Sequence, residues 1–251
     1  MKLSIIIITL DEEKMIGDCL KSVSDLADEV LVIDGGSVDK TREIAEKSGA
    51  KVFVNQFKDF ASQRNFGMEK AMGEWILYVD ADERVTPELR EEILRYAQDD
   101  NNKVNNIAAY KINRKNFYFG NHEWPKIEKL ERLFKKEKLK GWYGKVHESP
   151  KVLGKMGELD GFLLHYTHRD LSSMLSKTLE WSKIEAQLRF DAHHPKMAVW
   201  RFPRVMLTAF WNSYITQKGY KVGVVGLIES IFQAFSAFIT YARLWELQND
   251  A

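Results

Sequence analysis

Asp80 and Asp82 stand one residue apart at the end of WILYVDADE (75–83), and no other pair in the chain points as directly to chemistry. Two carboxylates at this spacing form an oxygen-only pair that suits a hard divalent cation, magnesium or manganese. If that cation also held a diphosphate, this would be a reaction centre. A solvated acidic turn after a strand is the plainer reading of the same residues, and the motif alone leaves both open. Asp34 ends an earlier apolar run, where a carboxylate can accept the imino N–H of a uracil ring or a ribose hydroxyl, or act as a helix cap or turn former. Thr9 and Glu12 follow the first apolar run and would add polar contacts to the same nucleotide. Arg64 and Asn65 lie in FASQRNFGMEKAMG (60–73). Arg64 is able to pair with a phosphate and Asn65 to reach a ribose or base, although an arginine on a helix is commonly just solvated.

These side chains need a frame that collects them at one edge. Trp75 to Val79 is a continuous apolar run of aromatic and branched residues, which suits a strand covered on both faces, and ligands gather beyond the carboxyl ends of such strands. Leu3 to Leu10 is a second buried strand, followed by helical spacing of Met15, Ile16, Cys19, Leu20 and Val23. Glu29 to Asp34 is a third; Gly35-Gly36-Ser37 turns the chain and a helix runs from Asp39 to Lys47. Lys51 to Val54 adds a short strand. Strand and helix alternating at this interval predict a parallel sheet with right-handed crossovers. A dinucleotide-binding dehydrogenase would need G-x-G-x-x-G after its first strand. Here TLDEE (9–13) stands in that place with no glycine before Gly17, so the dehydrogenase reading fails.

TLDEE after the first strand, VIDGGSVDKT (32–41) after the second and ASQRNFGMEKAMGEWILYVDADE (61–83) together resemble the nucleotide-sugar-binding half of a family 2 glycosyltransferase, with the fold known as GT-A. The resemblance covers most of residues 3–84. It implies that Asp34 binds the base and that Asp80 and Asp82 hold a divalent cation on the donor diphosphate. Asp11 stands where many members have Asn and receives no role. Farther on, ERLFKK (131–136) and GWYGKVHE (141–148) resemble a bacterial subgroup associated with lipopolysaccharide core assembly. An inverting sugar transfer needs a carboxylate within reach of the acceptor hydroxyl, and Glu148 is the candidate base. His147 beside it would orient Glu148 or meet a phosphate, with plain packing as the rival. Many GT-A enzymes complete the metal or diphosphate site with a late histidine, which implies His165 as a ligand; a structural histidine is the alternative. The usual Glu-Asp pair is missing, and no QxxRW follows, which argues against a processive polysaccharide synthase.

At 251 residues the chain suits one large domain or a domain with an appendage. The reading is an α/β protein: a GT-A-like, Rossmann-type, mostly parallel sheet flanked by helices over residues 1–170, and a helical, membrane-associating region over 171–251. Net charge is +1, so no overall field favours nucleic acid. Cys19 is the single cysteine, which excludes an internal disulfide and fits a reducing compartment. The N-terminal apolar run is too short for a secretory signal and is expected to be a strand in a cytoplasmic protein. Asn113 to Trp124 is aromatic and basic, suited to stacking on sugars or to a packed loop. Between Lys196 and Ile228 there are five basic residues and no acid, interleaved with aromatics, as in a helix lying on an anionic membrane surface. Residues 222–242 are long enough to span a bilayer, but Glu229 and Gln233 interrupt them, so an interfacial or homodimer-packing hairpin is favoured over a span. The function expected is metal-dependent, inverting transfer from a nucleotide sugar, UDP-linked first, to a lipopolysaccharide-core or other envelope glycan, at the inner face of the cytoplasmic membrane. The alternatives are transfer to a polyprenyl phosphate and a non-catalytic nucleotide-sugar-binding membrane scaffold.

Overall fold

The computed structural model of the chain describes residues 2–98, 107–144 and 148–250. Every residue of β1 (Leu3–Thr9) is buried. Its side chains alternate between two apolar clusters, Ile5 and Ile7 in one and Ile6 and Ile8 in the other, as the period of two requires for a strand covered on both faces. β2 (Glu29–Asp34) and β4 (Trp75–Asp80) flank β1, both parallel to it, and β3 (Lys51–Val54) lies outside β2. The crossovers are α1 (Ile16–Val23), α2 (Thr41–Lys47) and α3 (Phe60–Lys70). α1 buries Ile16, Cys19, Leu20 and Val23, one face at helical spacing. The register sets Thr9 beside Asp34 and Ile8 beside Asp80, so three strands deliver their polar ends to one edge.

Beyond β4 the sheet changes character. The chain continues through β5 (Glu83–Val85), α4 (Pro87–Gln98), β6 (Ile107–Tyr118), β7 (His122–Glu123), β8 (Glu128–Lys135), β9 (Leu139–Tyr143), β10 (Ser149–Val152) and β11 (Lys155–Tyr166). Among the described residues the main sheet has nine strands in the order β3-β2-β1-β4-β8-β6-β11-β5, with β7 on β6, while β9 and β10 form a separate hairpin. β8 runs antiparallel to β4 and to β6, and β5 antiparallel to β11, so the sheet is parallel in its nucleotide-like half and antiparallel beyond. The part of Asn113–Trp124 expected as an aromatic loop is strand as far as Tyr118. Its polar, basic sequence has no apolar run because much of β6 is only half-buried.

Gly161 in β11 shows how tightly this half is packed: a Cβ built there would lie 2.4 Å from Leu89 Cα in α4. Backbone cannot move aside as a side-chain tip can. Gly161→Ala is therefore expected to cost about 1–3 kcal/mol through forced separation of β11 and α4, read as a lowered urea midpoint with unchanged slope.

The chain divides into two compact units, one of residues 1–115 with 128–165 and the other of residues 116–127 with 166–251. The second contains α5 (Leu171–Asp191), α6 (Arg201–Trp211) and α7 (Gly223–Asp250), with α7 packed on both other helices. Residues 116–127 are held there by Trp124, whose indole N–H donates to Gln217 Oε1 at 3.0 Å, and by Tyr118, stacked on His168. α7 is long and apolar enough to cross a bilayer by length and composition.

Candidate active site

The loops after β1 and β2 are stitched to each other rather than left open. Asp34 is fully buried; its Oδ1 accepts the N–H groups of Gly36 and Ser37 at 3.0 and 2.9 Å, and its Oδ2 accepts the Ser37 hydroxyl at 2.5 Å. In this structure Asp34 shapes the glycine turn. Asp11, given no role from sequence, accepts Val38 N–H at 2.8 Å, while its own N–H donates to Ser37 Oγ at 2.9 Å. Glu12 donates its N–H to Thr41 Oγ1 at 2.8 Å, which ties the first loop to α2. Thr9 is buried, and its hydroxyl oxygen has no hydrogen-bond partner among the described residues.

A denser cluster sits at the end of β4. Asp80 Oδ1 accepts from Arg64 Nη2 at 2.9 Å and Oδ2 from Arg132 Nη2 at 2.6 Å. Glu83, wholly buried, accepts Asp80 N–H at 3.0 Å through Oε2, and through Oε1 accepts Arg114 Nη1 at 3.0 Å and Arg132 Nη2 at 3.2 Å. Arg64 continues the chain: its Nε donates to Glu148 Oε1 at 3.0 Å, across 84 positions of sequence. Its guanidinium carbon lies 4.9 Å from the Trp142 ring centroid, a cation–π contact that fixes the plane of the fork. Asn65 turns the other way, with Nδ2 donating to Trp142 O at 2.9 Å and Oδ1 accepting Trp142 N–H at 2.8 Å. It clamps α3 to β9.

Burial by itself would raise the pKa of Asp80, but Arg132, Arg64 and Arg114 outweigh it and hold the carboxyl well below the usual range. The linkage sign follows: a depressed carboxylate contributes stability above its unfolded value near pH 4, and that contribution is lost as pH falls below it toward the folded value. Urea midpoints of the native chain and of Asp80→Asn should therefore differ most at neutral pH and converge below about pH 4. A gap that stays constant down to pH 3 would count against the ion-pair assignment. Cys19 donates its Sγ–H to Asp80 O at 3.4 Å from a buried position; burial pushes its thiol far up, so it packs as an unreactive side chain.

Asp82 faces a different partner, with His165 Nε2 3.3 Å from its Oδ2 and both side chains only 15% exposed. β5 pairs with β11 in the register Glu83 to His165, which brings the DADE turn to the histidine. A carboxylate oxygen and an imidazole nitrogen are donors that manganese or magnesium accepts, and such cations commonly take their remaining positions from substrate phosphates and water. Asp80 is instead drawn into two guanidinium groups, and among the described residues no cluster of three His, Cys, Asp or Glu side chains forms a metal cage. The donor set fits a cation held jointly by Asp82, His165 and a diphosphate. His147 lies outside the described residues.

Arg132 and Arg114 went unassigned in the sequence. For Arg132 the only signal is its place between Leu130 and Leu133-Phe134; Arg114 stands among Asn113, Lys115 and Asn116, where nothing in the sequence sets it apart from a solvated cation.

The sequence profile described as Glycosyl transferase family 2 matches residues 4–151. An uncharacterized glycosyltransferase of Rickettsia typhi is 28% identical over 98% of this chain and 87% of its own length. The lipopolysaccharide core biosynthesis glycosyltransferase LpsC of Rhizobium meliloti is 26% identical over 98% of this chain and 93% of its own. Among solved structures, glucosyl-3-phosphoglycerate synthase from Mycobacterium tuberculosis, in complex with Mn2+, UDP and glucosyl-3-phosphoglycerate, superposes with a TM-score of 0.36 at 22% identity, over 47% of this chain and 44% of that one.

Proposed function

This chain belongs to glycosyl transferase family 2, and we propose that it is an inverting transferase moving a hexose from a UDP-linked donor to a cell-envelope glycan, with a lipopolysaccharide-core sugar as first acceptor. The observation that carries the proposal is the bridge made by Arg64, which holds Glu148 Oε1 at 3.0 Å and Asp80 Oδ1 at 2.9 Å on one buried guanidinium. It unites a carboxylate suited to proton abstraction with the acidic end of β4, where the donor diphosphate would lie. LpsC, similar over nearly the whole chain, supports the acceptor class.

In this reading the nucleoside lies over the stitched loops, with the Thr9 hydroxyl and Glu12 as polar contacts and Asp34 holding the turn that shapes the surface. Glu148 accepts the proton of the acceptor hydroxyl as its oxygen attacks C1 of the sugar. The C1–O bond to the diphosphate breaks, and UDP leaves from the opposite face, which inverts the anomeric centre. A divalent cation, when bound by Asp82 and His165, neutralises charge on the departing diphosphate. Arg64 and Arg132 keep Asp80 ionised and fixed. Because the acceptor is lipid-borne, the enzyme works in the cytoplasm at the inner face of the membrane.

The test is release of UDP from a panel of UDP-sugars, with manganese or magnesium and a lipopolysaccharide-core extract. Cation-dependent release with one donor supports the reading and names the sugar. Binding of a donor without turnover across a broad acceptor panel would replace it with a scaffold role.

A further inference from the structure

From Ala192 to Trp245 the sequence carries six cations, Lys196, Arg201, Arg204, Lys218, Lys221 and Arg243, against one acid, Glu229. That acid offers no charge to the outside. Glu229 is 1% exposed, with Oε2 at 2.8 Å from His168 Nδ1 and Oε1 accepting Gln233 Nε2 at 2.7 Å. The residue that argues against a bilayer span in the sequence is thus buried among partners of its own unit.

Two helices of this unit leave apolar rows uncovered. On α7, Val224, Ile231, Phe238 and Trp245 recur every seven residues, with Ile228 and Phe235 beside them, and exposure reaches 72% at Val224 and 55% at Ile231. Residues so spaced share one helix face. The row runs about 30 Å at roughly 1.5 Å per residue. At α6, Trp200, Leu207 and Trp211 are each more than half exposed, with Arg204 between them. A continuous exposed row of this length exceeds the scattered apolar residues of an ordinary surface.

We propose that these faces of α6 and α7 dock on an anionic lipid bilayer, the apolar rows entering the headgroup–acyl boundary and the flanking lysines and arginines meeting lipid phosphates. Charge sign selects this occupant. Two copies of the chain joined through these faces would bring cations against cations, the exposed acids Glu246 and Asp250 lying only past the end of the row, whereas an anionic leaflet meets the cations with opposite charge. Crossing the bilayer is disfavoured by α5, which packs along α7 and exposes Lys177, Glu180 and Lys183; a spanning α7 would carry them into hydrocarbon. Tryptophans and lysines at the ends of the rows are what an in-plane helix carries. The inference rests on the glycosyltransferase reading for its purpose, delivery of the site to a lipid-borne acceptor, though lipid binding itself needs no donor.

The experiment is flotation of the full chain, without donor, on phosphatidylcholine vesicles with and without phosphatidylglycerol, at low and raised salt. The expected result is binding at least about tenfold tighter to the anionic vesicles, weakened by salt. Leu207→Asp and Ile231→Asp, both at exposed positions, should each lose about tenfold or more of that binding. UDP release with a soluble acceptor should be unchanged in both variants. Equal recovery on neutral and anionic vesicles, or on neither, overturns the proposal. So does a lipid-independent dimer by light scattering that either substitution dissolves, or a protein that only detergent extracts from membranes. Failed docking with intact UDP release discards this inference alone; docking without transfer discards the proposed reaction and keeps the surface.

Discussion

Glu148→Gln is expected to lower kcat/KM for sugar transfer by about 10³-fold while thermal stability stays close to that of the native chain. The two effects separate because glutamine keeps the shape of the side chain and an oxygen able to accept from Arg64 Nε, the bond now made at 3.0 Å. What it removes is the capacity to take a proton. A drop in kcat with little change in donor KM identifies an interaction made only in the transition state. Arg64→Lys tests the same bridge from the other side. A point cation on a flexible stem cannot serve Asp80 and Glu148 at once, so the rate should fall even though both carboxylates remain. Full activity in Glu148→Gln would point to an acceptor that arrives already ionised, such as a polyprenyl phosphate, and would remove Glu148 from the chemistry.

Asp82→Asn is expected to reduce transfer by about 10²–10³-fold, with cation affinity in the presence of UDP weakened at least about 100-fold. The amide can still face His165, now 3.3 Å from the carboxylate, so the β5–β11 junction should hold and the loss should be one of charge. Titration of Mn2+ by its paramagnetic signal reads the affinity without relying on turnover. His165→Ala should shift both quantities in the same direction by less, since it leaves the anionic ligand in place. Transfer by the native chain that a chelator leaves untouched would take the cation out of the account.

Much of the parallel half was legible because its strands are buried on both faces: in Leu3–Thr9 four consecutive isoleucines leave only Ser4 and the terminal Thr9 as polar positions. The acids at its edge were legible for the same reason, standing out where apolar runs stop. The antiparallel half was harder. β6 and β8 mix lysine, arginine and glutamate with apolar residues; Arg114 and Arg132 belong to the buried ion-pair cluster, while Lys129 on the same strand as Arg132 stands in solvent beside Glu158. Composition cannot distinguish those two fates of an arginine. Asn65 and Asp34 illustrate another limit, because a polar group able to meet a ligand can also bond backbone, two residues on for Asp34 and 77 positions away for Asn65, and the second kind of partner is invisible in the sequence.

The short stretch 116–127 interrupts the sequence of the first unit yet is counted with the second. Trp124 is 2% exposed there; its indole is tied to Gln217, and Gly219 has no room for a side chain, a Cβ there lying 2.6 Å from the tryptophan ring. Cutting the chain near residue 170 would therefore strand the Trp124 indole without Gln217 and Gly219 to cover it. In evolutionary terms the tail is not a module that recombination can exchange by a single crossover. A functional graft between relatives has to carry residues 116–127 along with the tail, so the two segments are expected to descend together.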